Sequence, residues 1–308
     1  MTKLVKREAI LAKIEGTPGV DASPQPLVDA ILVEDIGWSL EGLRMFERNP
    51  VRQVYGKLKP EFGGCLMQVT FNVELKGSGT AGVAPEINPL LGMCGCGVNV
   101  VASTSVTYAG RSTGFEYGTL YFYDDGSLYK MLGCQGTFGL AANTGDKAML
   151  SFTITGHMVD PVDTALPAFS YHSAVPAPFI GASFSTGGFA SIIDNLTFDI
   201  GNVIETPPNP NSADGYGRIQ IMDHDYTGSF DPEATLVADD DPIADLKAGT
   251  TKAIQTGVIG SDVGNRWALS MPTCAYAELG PGERNGIRTR DIGFMCAGDD
   301  SAFSLAFT

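Results

Sequence analysis

Residues able to do chemistry are sparse in this 308-residue chain. Cys94-Gly95-Cys96 offers two thiols to a soft metal, but a structural zinc site takes four ligands, usually as two spaced pairs, and the sequence has no second pair. Cys134, Cys274 and Cys296 stand isolated, which predicts buried free thiols. His157, His172 and His224 share no metal-binding spacing, and His172 lies in a proline-rich stretch that makes a poor catalytic platform. His224 sits between Asp223 and Asp225, but in a strand both aspartates point to the face opposite the ring, so an exposed, structurally neutral histidine is expected. Gly77-Ser78-Gly79-Thr80-Ala81-Gly82 lacks the Lys-Ser/Thr of a phosphate loop and reads as a turn with positive φ. No serine is flanked as Gly-x-Ser-x-Gly in a strand-turn-helix setting. Asp223, Asp225, Asp231, Glu233 and the run Asp239-Asp240-Asp241 do not keep calcium-loop spacing and read as solvated acidic loops. The expectation is a protein with no catalytic residues, no cofactor and no dedicated metal site, and hence not an enzyme.

What must be positioned is therefore a surface. The net charge is −15, which argues against a basic nucleic-acid-binding face. It is unevenly divided: up to Ile180 there are 13 Lys and Arg against 17 Asp and Glu, and from Gly181 there are 7 against 18. Charged residues make up 18%, against roughly 25% in ordinary soluble proteins, and so little charge suggests that much surface is covered in an assembly. The N-terminus, with Lys3, Lys6, Arg7 and Glu8, lacks an apolar signal region, and no run approaches the roughly 18 apolar residues of a membrane span, so free thiols and no membrane are expected.

One stretch organises the chain. From Cys65 to Lys76, Met67, Val69, Phe71, Val73 and Leu75 alternate with Gln68, Thr70, Asn72, Glu74 and Lys76, the period of a half-buried strand. Similar alternation marks strands at Leu150–Ile154, Leu196–Ile200, Trp267–Met271 and Phe303–Phe307, and Asp124-Asp125-Gly126 predicts a hairpin turn. Short helices are expected at Leu4–Glu15, Pro85–Met93 and Asp241–Ala248, and a long loop at Arg48–Pro60. Laying Gly145-Asp146 on Gly298-Asp299, an offset of 153, brings Ser151 onto Ser304 and Thr155 onto Thr308 with apolar positions in step. This predicts a duplicated β-domain. The expected division is an N-terminal arm over 1–26, a first β-domain over 27–160, a proline-rich linker over 161–185 and a second β-domain over 186–308.

Several stretches in order resemble the tail tube (major tail) proteins of long-tailed bacteriophages and prophages: Lys13-Ile14-Glu15 with Gly16 to Gly19, Val73 to Gly82 running into Ala84-Pro85, Leu90 to Gly95, and Leu196 to Asn202. The resemblance covers most of the chain. It implies a mainly β fold, a duplicated β-sandwich or split barrel with a short flanking helix in each copy. It further implies a structural virion protein, assembled in the host cytoplasm, that forms stacked rings as the conduit for DNA. Such rings are hexameric with one tube fold per subunit, so two folds per chain would give a trimeric ring with pseudo-sixfold symmetry. The implied partners are further copies, a tape measure protein, a tail terminator, distal tail and baseplate proteins, and double-stranded DNA in non-specific transit. The polar residues Gln68, Thr70, Asn72, Glu74 and Lys76 are expected to face the lumen, and Lys76 and Lys147 depart from a uniformly negative wall. Arg48, Arg52, Lys57 and Lys59 are candidates for ring stacking, together with the N-terminal arm. The competing expectations are the inner tube of a contractile device, a β-sandwich adhesin with Trp38 and Trp267 as a sugar platform, and a β-rich hydrolase.

Overall fold

The computed structural model describes Leu4 and residues 6–308. In chain order the elements are β1 (Glu8–Ile14), β2 (Ala30–Ile31), β3 (Val33–Phe46), β4 (Glu61–Glu74), α1 (Asn88–Met93), β5 (Cys96–Val101), β6 (Ser105–Gly110), β7 (Gly118–Asp124), β8 (Ser127–Asn143) and β9 (Met149–Asp163). The second half holds β10 (Ser185–Thr186), β11 (Phe189–Ala190), β12 (Asn195–Asp199), β13 (Asn202–Glu205), β14 (Gln220–His224), β15 (Thr227–Phe230), α2 (Pro242–Ala248), β16 (Thr251–Gln255), β17 (Trp267–Arg284), β18 (Ile287–Cys296) and β19 (Ser304–Phe307). The protein is mainly β, and every strand pairing is antiparallel.

The same pairing scheme occurs twice. β3 pairs β4 as β12 pairs β15, and β4 pairs β9 as β15 pairs β18. Behind them β1, β7, β8 and β9 are joined in series, as β10, β16, β17 and β18 are. A short helix separates the strand pairs in each half. β8 and β17 are long enough to run through both layers, so each half folds over itself as a sandwich around aromatic packing such as Phe71 on Phe152 and Phe230 on Phe294. One core of buried residues runs through both halves.

The halves are also hydrogen-bonded to each other. β8 pairs β12 from Gly139–Asp199 to Asn143–Asn195, and β19 lies between β17 and β6.

Local chemistry explains the two helices. Asp241 caps α2 by accepting from the Ala244 N–H at 3.1 Å, Pro242 fills the first turn, and Gly249 closes it at φ 62°. α1 has no side-chain cap and is held by burial of Leu90, Leu91 and Met93.

Several expectations are corrected. Residues 8–14 form a strand, not a helix: Ala9, Ile10, Leu11 and Ala12 are all buried and packing on both faces overrides helical preference. β1 is thus a strand of the first half, and the expected arm over 1–26 contains it; its residues 1–3 and Val5 fall outside the described residues. β9 runs on through His157 to Asp163, past the expected start of the proline-rich texture, and Pro161 fits there because β4 pairs β9 only as far as Gly156. The 153-residue offset lays β9 on β19, yet β9 corresponds in pairing to β18. The duplication is carried by topology, and the sequence match reflects the alternation common to β-strands.

Candidate functional site

Eight strands lie side by side in the order β3, β4, β9, β8, β12, β15, β18, β17, and their register can be followed straight across. One row reads Glu34, Asn72, Ser151, Gly139, Asp199, Thr227, Met295, Ala275. The next reads Glu74, Met149, Ala141, Thr197, Ser229, Gly293, Glu278. Between them, on the other face, lies Val33, Val73, Leu150, Leu140, Phe198, Gly228, Phe294, Tyr276. The pleat thus sorts a small, polar face from an apolar face across the whole width of the sheet.

Short side chains tie the polar face together. Ser151 Oγ donates to Asn72 Oδ1 at 2.7 Å, Gln68 Nε2 to Thr155 Oγ1 at 3.2 Å, and the hydroxyls of Thr197 and Ser229 meet at 2.7 Å. Lys147 Nζ contacts Glu74 at 2.9 Å and also Glu34, and these two carboxylates hold its ammonium above the ordinary lysine range. Glu34, Glu74, Asp199 and Glu278 leave these two rows acidic even with Lys147 at their margin.

The sequence-predicted residues fall into three groups. Thr70 is exposed on the polar face, and Gln68, Asn72 and Glu74 are half-buried there. Lys76 is not on this face: β4 ends at Glu74, and the Lys76 side chain is 1% exposed, 3.1 Å from Glu86 and 3.3 Å from the His172 carbonyl oxygen. A buried ammonium needs such a counter-charge, and Glu86 supplies it. Arg48, Arg52, Lys57 and Lys59 are all exposed on the 47–60 connector between β3 and β4, beside the bare side chains of Val51 and Tyr55. Their contacts are local: Lys57 to Glu47 and Lys59 to Glu61 at 3.3 Å, and Arg52 to the Gly56 carbonyl.

The second half places a different connector between its first two sheet strands. Residues 200–226, which include β13 and β14, fold back onto the first half. Tyr216 donates to the Gly42 carbonyl, Arg44 stacks 3.8 Å over the Tyr216 ring, and Leu66, Tyr216 and Ile219 form a buried cluster. Asp214 Oδ2 lies 2.5 Å from His157 Nδ1. Burial alone would raise the Asp214 carboxyl; hydrogen bonds from His157, Ser212 and the Tyr216 amide outweigh it and hold the group below the usual carboxylate range. This connector roofs the polar face beyond Gln68, so Leu66 and Gln135, which share that face, are interior. His224, expected to be exposed, is half-buried, bonded to Asn202 at 2.6 Å and stacked on Tyr226. Trp267 is fully buried, which removes it from any sugar platform; Trp38 is 49% exposed.

The sheet has two unpaired margins. β3 pairs only β4, and β17 from Tyr276 onward pairs only β18, among the described residues. At the β3 margin Trp38 and Leu40 lie on the apolar side, opposite Val69 and Met67, and stay exposed. Sequence reasoning missed these margins, since edge status depends on which strands meet. The described residues hold no cluster of three metal-ligating side chains and no helix long and apolar enough to cross a membrane.

Comparison with curated proteins finds no match. A family model described as phage tail tube protein matches residues 6–296, nearly the whole chain, and the chain belongs to that family as a structural component of a phage tail.

Proposed function

We propose that copies of this chain join margin to margin into rings, and that the rings stack into the tube through which DNA passes from capsid to host cell. The β8–β12 seam carries this reading. Within one chain it joins the last strand of the first four-stranded set to the first strand of the second. By the repeated pairing scheme, β17 corresponds to β8 and β3 to β12. Joining β17 of one copy to β3 of the next would repeat the same seam between chains, satisfying both rows of unpaired backbone groups. It would also cover Trp38 and Leu40, because the apolar faces of the two margins then run on into each other.

Six such four-stranded sets, the number that the family resemblance implies, come from three chains. Three sheets of eight strands (3 × 8 = 24) make a cylinder roughly 45–50 Å across at the backbone, taking about 4.8 Å per strand and a tilt of about 40°. Gln68, Thr70, Asn72 and Glu74 would line it, with Ser151, Thr197, Asp199, Ser229 and Glu278. Short hydroxyls, glycines and a surplus of carboxylates offer phosphate groups little to hold, so DNA slides instead of sticking. The 47–60 connector, with Arg48, Arg52, Lys57 and Lys59, reaches the adjacent ring, and the tape measure, terminator and distal tail proteins meet the tube's interior and ends.

The test is negative-stain microscopy of the purified chain beside a Trp38→Glu, Leu40→Glu double variant. Striated rods are expected from the first. From the second, monomers with unchanged far-ultraviolet circular dichroism are expected. Rods from the double variant would remove β3 from the seam.

A further inference from the structure

Cys274 and Cys296, unremarkable in the sequence, face each other across the β17–β18 ladder with their sulfurs 3.2 Å apart. Cys296 donates its N–H to the Tyr226 carbonyl, on the side of β18 away from β17. In an antiparallel strand a residue's N–H and C=O point the same way, so Cys274 and Cys296 occupy a non-hydrogen-bonded position. There the Cα atoms of the two strands lie about 4.5 Å apart, within the span that a disulfide bridges. The next residue confirms the phase, since Ala297 N–H donates to the Thr273 carbonyl on β17. Cys274 is 1% exposed, whereas Cys296 is half-buried and lines a cleft of about 370 Å³. Asp223, Asp225, Asp299 and Asp300 rim that cleft, so a small neutral oxidant is admitted more readily than an anionic one.

We propose that Cys274 and Cys296 are a disulfide-forming modification site, oxidised by hydrogen peroxide or an equally small peroxide. The hydrogen bond with Cys274 and burial push the Cys296 thiol up, so it gives up its proton as its sulfur attacks one peroxide oxygen; the O–O bond breaks and the departing hydroxide takes up that proton as water. The Cys274 sulfur then gives up its proton and attacks the Cys296 sulfenic acid, the S–O bond breaks, and a second water leaves. Two thiols are oxidised by two electrons and one peroxide is reduced to two waters. The new bond ties together the ends of the hairpin that carries the open β17 margin. Its place in the life of the particle rests on the tail-tube reading: subunits made in a reducing cytoplasm carry the thiols, and a released tail meets oxidant.

The chemistry is tested on dissolved full-length protein, so its failure is separate from any failure to form rods. The protein is treated with peroxide, quenched, denatured, alkylated and weighed. Alkylation at four positions instead of all six cysteines is expected, with a linked Cys274–Cys296 peptide after digestion. The melting temperature should rise by roughly 3–5 °C. In Cys274→Ser the link must be absent and a sulfenic acid at Cys296 must be trapped by dimedone. Six alkylated thiols after peroxide, or a link between any other pair, overturns the proposal.

Discussion

The 47–60 connector and the 200–226 connector hold the same place in the repeated scheme, each joining the first two sheet strands of its half. They are finished differently. The second folds back, buries Tyr216 and Ile219 against Leu66, and is pinned by Asp214 to His157. The first touches little beyond itself and leaves Val51 and Tyr55 bare. One connector has its partner in the same chain, whereas the other presents the same kind of apolar and charged material with no partner among the described residues to receive it. The difference teaches that two segments in one topological place can be finished inside the fold or left exposed on it.

The comparison breaks most visibly if the free connector is removed. Replacing residues 48–59 with a short Gly-Ser link should leave the thermal midpoint of the monomer nearly unchanged and abolish rods longer than single rings under the microscope. Rods of ordinary length would show that its exposed cations and apolar residues serve something else. The bound connector should behave in the opposite way. Tyr216→Ala removes an aromatic ring from a buried cluster together with its bond to Gly42, and should cost about 3 kcal/mol in urea unfolding. A loss below about 1 kcal/mol would mean that the brace contributes little.

The smallest effect sharpens the comparison at one group. Asp214 is held below the usual carboxylate range, so it contributes stability above that range and loses it as pH falls through its folded value. Amide exchange over 206–219, corrected for the intrinsic pH dependence, should therefore speed up below about pH 4, with 47–60 unaffected. Asp214→Asn should show no such acid step and cost about 1–2 kcal/mol at neutral pH.

Some of this was legible in the sequence. The alternation of β4 gave its two faces, Asp124 to Gly126 gave the hairpin, and the helix expected over Asp241–Ala248 is found as α2. β1 was misread because four consecutive buried residues, packed on both faces, carry no period of two. The buried Lys76–Glu86 pair, the Asp214–His157 contact and the facing of Cys274 and Cys296 depend on register between segments far apart in the chain, and nothing local encodes register. The same holds for the polar face, since one strand announced its polar side but the continuity of eight strands became visible only through their pairing.

β19 has a kinetic consequence. It pairs Ser304 to Phe307 with Val106 to Ala109, residues about two hundred positions away, while its other edge is occupied by β17. Closing so large a loop is entropically slow, so this pairing is expected to form late in folding, after both halves have acquired their own strands. Until then β6 has, among the described residues, only β5 beside it, and an immature chain displays a sticky flank that the mature one hides. Whatever shields newly made subunits from premature clumping has that interval in which to act.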